Sequence, residues 1–169
     1  MGWALLLAKR AAIGAMIGIA VSDELVSLAR MQGSSMEPTL VAGKSLMEGD
    51  VLLLDKFPGH DFGFSRGDVV VLRSPHEPQY WMVKRLIAVE GDMLRVPGKR
   101  ELVQVPKGRC WVEGDNANVS LDSRNMGPIP MALLKARVTR VVWPPERFGR
   151  VESILPTGRI VAHGERPIR

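Results

Sequence analysis

The sequence predicts a mostly β protein, a twisted antiparallel sheet or barrel carried behind one N-terminal transmembrane or membrane-associated helix. Three observations lead there. Short apolar runs separated by Gly, Pro, Asp and Ser recur from residue 51 to residue 143, at spacings that suit consecutive antiparallel strands. Within that stretch only residues 131–137 have a helical composition. An uncharged run, residues 11–22, precedes them all.

A chain of 169 residues has room for one domain with a real core and a short appendage at each end. The expected organisation is a flank at 1–10, a membrane anchor helix at 11–29, a folded domain at 30–148 and a basic tail at 149–169. The uncharged run is nearer the size of a signal-peptide core than the ~20 apolar residues of a spanning helix. Two features favour an anchor over an interfacial helix. Lys9 and Arg10 sit on its N-terminal flank, and Gly14, Ala15, Gly18 and Ala20 suit close packing in lipid. An anchor would hold that basic pair on the side that retains positive charge and deliver everything from Ser22 onward to the other. A cleaved signal peptide is the competing reading.

Beyond it, residues 51–54 and 69–72 are continuous apolar runs that read as strands. Pro58, Gly59 and Gly63 make 57–65 a loop, and 74–78 a turn follows. Residues 80–89 form the longest strand candidate. Residues 92–96 and 101–105 flank Pro97-Gly98 as a hairpin. Another strand is expected at 110–113, then the helical stretch 131–137, and 138–143 closes the sheet before Pro144 and Pro145 end it.

Charge and cysteine usage narrow the classes. There are 23 basic and 18 acidic residues, a net +5. Residues 140–169 hold six arginines against three glutamates, so +3 of the +5 lies there. Such a segment suits either contact with nucleic acid or anionic lipid or a solvated extension, and no nucleic-acid motif accompanies it. Cys110 is the only cysteine, which excludes an internal disulfide and a Cys-rich zinc site. Trp111 and Val112 beside it suit a small apolar residue packed in a strand. His60, His76 and His163 offer no metal-ligand spacing, so no metal is implied.

Three stretches collect chemistry. Residues 31–40, MQGSSMEPTL, pair two serines with a following proline. Ser34 and Glu37 have capping-box spacing, but Pro38 biases Glu37 towards extended geometry, leaving a rigid loop that presents a hydroxyl. On the strand 80–89, alternation puts Met82, Lys84, Leu86 and Ala88 on one face and Val83, Arg85, Ile87 and Val89 on the other. A lysine flanked by apolar neighbours either snorkels or is desolvated. Desolvation favours the neutral amine that a weakly nucleophilic serine needs as its base. The third stretch, 114–127, is rich in hydroxyls and charges. It reads either as a surface loop of Asx-turns with an exposed Asp122–Arg124 pair, or as a support in which Ser120 hydrogen-bonds the base and that pair stiffens the loop.

Together these pieces resemble the type I signal peptidase family of Ser-Lys endopeptidases. The matching segments are SMEPTL at 35–40, RGDVV at 66–70, KRLIAVEGD at 84–92, and GDN at 114–116 running through Ser120, Asp122, Ser123 and Arg124 to Gly127. They fall in the family's order over residues 11–148. The segment from Trp143 to Pro156 leans towards the mitochondrial inner-membrane branch. The resemblance implies Ser35 as nucleophile, since the reactive serine directly precedes the Met, and Lys84 as general base. It implies Ser120 orienting Lys84, Asp122 and Arg124 as the supporting pair, and the Ser35 backbone N–H in an oxyanion hole. Bacterial members commonly place a second hydroxyl two residues before the nucleophile; here that position is Gly33, which leaves the second oxyanion donor open. Lysine at 84 argues against the endoplasmic reticulum branch, which uses histidine. The implied activity is removal of presequences, with small residues before the cut, from proteins delivered to the intermembrane space. A second homologous subunit and the mitochondrial inner membrane are the implied partners, with no nucleic acid and no cofactor; a plastid or bacterial membrane homologue would show the same motifs. A non-catalytic scaffold subunit and a self-cleaving Ser-Lys transcriptional regulator are the alternatives. The regulator would need an N-terminal helix-turn-helix, where the chain offers an apolar segment.

Overall fold

Residues 134–143 show how local pattern and fold agree. Leu134, Ala136 and Val138 are buried and alternate with Lys135, Arg137 and Thr139, the period of two that only a strand can place on one side of a sheet. The computed structural model describes residues 26–43, 48–56, 63–98 and 100–163. In chain order its strands are β1 (Val26–Arg30), β2 (Val51–Asp55), β3 (Val69–Arg73), β4 (Trp81–Val89), β5 (Met93–Arg95), β6 (Leu102–Gln104) and β7 (Arg109–Glu113). A single helical turn α1 (Ser123–Met126) follows, then β8 (Ile129–Pro130), β9 (Leu134–Trp143), β10 (Gly149–Arg150) and β11 (Ile160–Ala162).

Among the described residues every strand pairing is antiparallel. The main sheet runs β1-β2-β9-β3-β4-β7-β8, with β10 also on β9, and a small sheet runs β11-β5-β6. Three apolar clusters fill it. Met31, Met36, Leu40, Leu52 and Val71 belong to the first, Val70, Leu72, Leu86 and Val112 to the second, and Ile87, Ala88, Leu94 and Trp111 to the third. The second and third divide along β4, where the pairing with β7 shifts register between Leu86 and Ala88. Alternation is lost at such a shift, so Leu86 and Val89 share a cluster that Ala88 does not join.

Four expectations need correction. The anchor helix expected at 11–29 does not extend over Val26 to Ala29, which belong to β1, paired along its whole length with β2. Residues 11–25, with the flank 1–10, lie outside the described residues, among which no helix is long and apolar enough to cross a membrane. The helix expected at 131–137 is a 3-10 turn, Met131–Leu133, running into β9; helix-forming residue types there yield to the two-residue period of burial. At ten residues β9 is also longer than β4 at nine. Residues 149–162 of the tail, expected to be solvated, are built into the domain instead, and residues 164–169 lie outside the described residues. Residues 149–162 supply β10 and β11, Val151 packs on the first cluster, and Leu155 and Ile160 pack on the third.

Candidate active site

The serine loop is fixed from both ends by its own apolar residues. Met31, Met36 and Leu40 are buried in the first cluster, so the residues between them must turn back at the surface. The Glu37 N–H donates to the Ser34 carbonyl and the Leu40 N–H to the Met36 carbonyl, and the Glu37–Pro38 peptide is cis. Ser34 is exposed while Ser35 is half-buried. Gly33 has φ +77, a conformation that a serine would adopt only with strain, which accounts for the missing hydroxyl at that position.

Lys84 comes to this loop from β4. It stands opposite Val70 on β3 and is 4% exposed. Its Nζ lies 2.7 Å from Ser35 Oγ across a sequence separation of 49 residues. Burial pushes the Lys84 pKa below its ordinary value; the Asp122 carboxylate pulls it back up and the Arg124 guanidinium pushes it down. The result is a lysine able to hold a neutral amine against a serine hydroxyl, the arrangement a Ser-Lys nucleophile needs. The Ser35 N–H makes no hydrogen bond among the described residues and is available to a developing oxyanion.

The loop 114–127 supports the pair, differently from the expected manner. Asp122 is fully buried and accepts from the Ser120 hydroxyl at 2.6 Å, the Gly114 N–H at 2.8 Å and the Arg124 backbone N–H at 3.0 Å. Arg124 grips the same carboxylate through Nε at 3.0 Å and Nη2 at 2.6 Å. Burial works against the Asp122 charge, but these donors outweigh it and hold the carboxyl below its ordinary pKa. Asp122 is also the N-cap of α1, forming a capping box with Asn125. The expected ion pair therefore forms in a buried setting, where such bonds are stronger than at the surface. Ser120 gives its proton to Asp122 rather than to Lys84, so it bears on the lysine through the carboxylate.

Sequence reasoning assigned no role to the residues that tie these parts together. The Asn116 N–H donates to the Ser35 carbonyl at 3.0 Å, and its side-chain amide donates to the Ser34 carbonyl at 3.2 Å. Gly114 lies so close to the Ser35 carbonyl and the Ser120 hydroxyl that any Cβ would collide with both. Asp115 takes a bidentate bond from Arg85, Nε at 2.9 Å and Nη2 at 2.7 Å, and a third from the Thr39 hydroxyl at 2.6 Å. Arg85 Nη1 also donates to the carbonyls of Gly67 and Glu152. One guanidinium thus joins four segments of the chain. The signal was present: Arg85 has apolar neighbours on its own face just as Lys84 does, and a cation that cannot lose its proton requires partners there. Further out, Asp50 accepts from Arg147. Cys110 is packed in the second cluster, burial pushing its thiol up to about 12.

Beside Ser35 and Lys84 opens a cleft of about 910 Å³ with Leu52, Leu54, Val71, Val83 and Ala136 among its lining. Such a cleft can take an extended peptide against a hydroxyl, an amine and a backbone donor. A family model described as signal peptidase, peptidase S26 matches residues 4–103 and 95–143. The chain belongs to the signal peptidase S26 family. A mouse relative named mitochondrial inner membrane protease subunit 2 is 44% identical over 144 residues, covering 85% of this chain and 82% of that one. The human protein of the same name is 40% identical over 150 residues, covering 88% and 85%. A Xenopus tropicalis relative named subunit 1 of that protease is 42% identical over 132 residues, covering 76% and 75%. Among solved structures, a signal peptidase I from Enterococcus faecalis aligns with TM-score 0.38 and 21% identity, covering 45% of this chain and 97% of that one. As an S26 signal peptidase the chain is a serine endopeptidase.

Proposed function

We propose that this protein is a peptidase of the mitochondrial inner membrane in which Ser35 is the nucleophile and Lys84 the general base. Its substrates are proteins bearing targeting presequences, cut on the intermembrane-space side, and its partner is a second, homologous subunit. Relatives named as subunits 1 and 2 of one inner-membrane protease support the compartment and the pairing. The observation that carries the chemistry is the 2.7 Å approach of a buried Lys84 Nζ to Ser35 Oγ.

Neutral Lys84 takes the Ser35 proton as Oγ attacks the scissile carbonyl, and the Ser35 N–H faces the oxyanion that forms. The resulting ammonium gives its proton to the leaving amine, and the acyl-enzyme remains. Lys84, neutral again, then draws a proton from the water that attacks the acyl carbon and returns it to Ser35 Oγ as the C–Oγ bond breaks, which releases the product and restores both groups. Asp122 and Arg124 are positioning residues that hold the loop behind Lys84 and set its electrostatic surroundings, and Ser120 acts through Asp122.

The test is labelling by a serine-acylating probe together with processing of a presequence reporter. The wild-type protein should acylate once, at Ser35, and Ser35→Ala should neither label nor process while unfolding like the wild type. Full processing by Ser35→Ala would refute the assignment.

A further inference from the structure

Glu113 ends β7 directly before Gly114, is 5% exposed, and stands opposite Arg85 in the pairing with β4. Its carboxylate accepts from the Trp111 indole N–H at 2.7 Å, from Arg159 Nη1 at 2.8 Å and from Arg159 Nη2. Arg159 is aimed there by a reciprocal pair of bonds with Arg95 of β5. The Arg95 N–H donates to the Arg159 carbonyl at 2.7 Å, and Arg159 Nε donates to the Arg95 carbonyl at 2.9 Å. Two more guanidiniums stand near the same carboxylate, each already paired, Arg85 with Asp115 and Arg124 with Asp122. Arg124 Nη2 also donates to the carbonyl of Gly114, the next residue. Its bond to Asp122 holds the Arg124 pKa above the ordinary value against burial, and the charges of Asp122 and Glu113 add to the rise. A carboxylate as buried as Glu113 demands a cation, and one deprived of its own partner draws on those of its neighbours.

We propose that Arg159 is a positioning residue for the peptidase reaction: by satisfying Glu113 from the C-terminal segment, it leaves Arg85 on Asp115 and Arg124 on Asp122. Those two pairs brace the loop behind Ser35 and Lys84. Without Arg159, Glu113 competes with Asp115 and Asp122 for the same two cations, and either defection loosens that loop. This role rests on the Ser35–Lys84 reading, because the braces bear on turnover only if that pair reacts.

The test uses the full-length protein, extracted in mild detergent with any copurifying subunit. Turnover of a presequence reporter is counted per serine labelled to completion by an acylating probe, so that unfolded molecules drop out. Arg159→Gln should lower kcat about tenfold and leave KM within about twofold, because the cleft itself is untouched. Adding Glu113→Gln removes the competing charge and should return kcat to within about threefold of the wild type. Arg159→Lys, which keeps the charge and loses the fork, should cost only about threefold. An ion pair that merely stabilised the fold would leave kcat per labelled serine at the wild-type value in Arg159→Gln, and that result overturns the proposal. So does a folded double variant no faster than Arg159→Gln. If Arg159→Gln does not fold, Arg159→Lys takes its place. Its loss should then vanish on adding Glu113→Gln, and either an unchanged kcat in Arg159→Lys or no recovery overturns the proposal. Each of these results leaves the dyad standing, whereas processing by Ser35→Ala overturns the dyad itself.

Discussion

Strand β4 sets two cations side by side and gives them opposite surroundings. Lys84 and Arg85 are each 4% exposed. Arg85 has a bidentate carboxylate and two carbonyls, whereas among the described residues Lys84 is hydrogen-bonded only to the Ser35 hydroxyl. Arginine stays charged at any working pH, and lysine yields its proton when desolvated. The sheet therefore saturates the cation that must keep its charge and starves the one that must lose it. Saturation makes a strut; starvation makes a base.

Two substitutions break this contrast in opposite ways. Lys84→Met should lower peptidase turnover by at least about 10³-fold, since a serine without its base retains only binding and oxyanion contributions. It should not lower stability. The Lys84 pKa is depressed in the fold, so the native state binds fewer protons than the unfolded chain, and burying this ammonium is a cost that eases as pH rises. Replacement by methionine should then raise the urea midpoint, more at pH 6 than at pH 9. Arg85→Met should act through stability first, losing about 3–5 kcal/mol in urea unfolding, because it leaves Asp115 charged and unpaired in a mostly buried place. Equal stability losses for the two variants would erase the distinction between strut and base.

The strands β2 to β7, residues 138–143 of β9, the serine loop and the loop 114–127 were legible in sequence, because burial period and turn residues act locally; β1, β8, β10 and β11 were not. What was not legible depended on contacts distant in sequence. Nothing near Asp115 announces that its partners are Thr39, 76 residues away, and Arg85, 30 residues away. The arginines of the C-terminal segment read as solvated charge because their acceptors, Glu113 for Arg159 and Asp50 for Arg147, lie far upstream. The stretch 131–137 misled because helix-forming residue types are a weak prior beside a two-residue burial period. Ser120 was expected to hydrogen-bond Lys84 and its hydroxyl donates to Asp122 instead, since composition cannot choose between a lysine and a carboxylate as partner of a hydroxyl.

A finer probe of the starved side is the pH profile. The acid limb of kcat/KM reports the free enzyme's base, and activity needs Lys84 neutral, so the limb follows the Lys84 pKa. Arg124 depresses that pKa and Asp122 raises it. Arg124→Gln removes the depressing charge and leaves the raising one, so the limb should move to higher pH while the alkaline plateau is partly kept. Arg124→Lys, which restores the charge without the fork geometry, should bring the limb back. A limb that stays in place while only the plateau falls would mean that Arg124 holds the loop without tuning the base.

The smallest effect is expected at the far end of the strut. Thr39 lies four residues beyond Ser35 and reaches Asp115 through one hydroxyl bond of 2.6 Å. Thr39→Val removes that bond at nearly constant volume and should cost about 1 kcal/mol in urea unfolding. If Asp115 transmits the hold of Arg85 to the serine loop, turnover should fall a few-fold with little change in KM, because the loop's position is disturbed and the cleft is not. The decisive comparison is the double variant. In an Arg85→Met background Asp115 is no longer fixed, so the same threonine change should cost less, and the two losses should fall short of their sum. Additive losses would mean that Thr39 and Arg85 act on Asp115 independently.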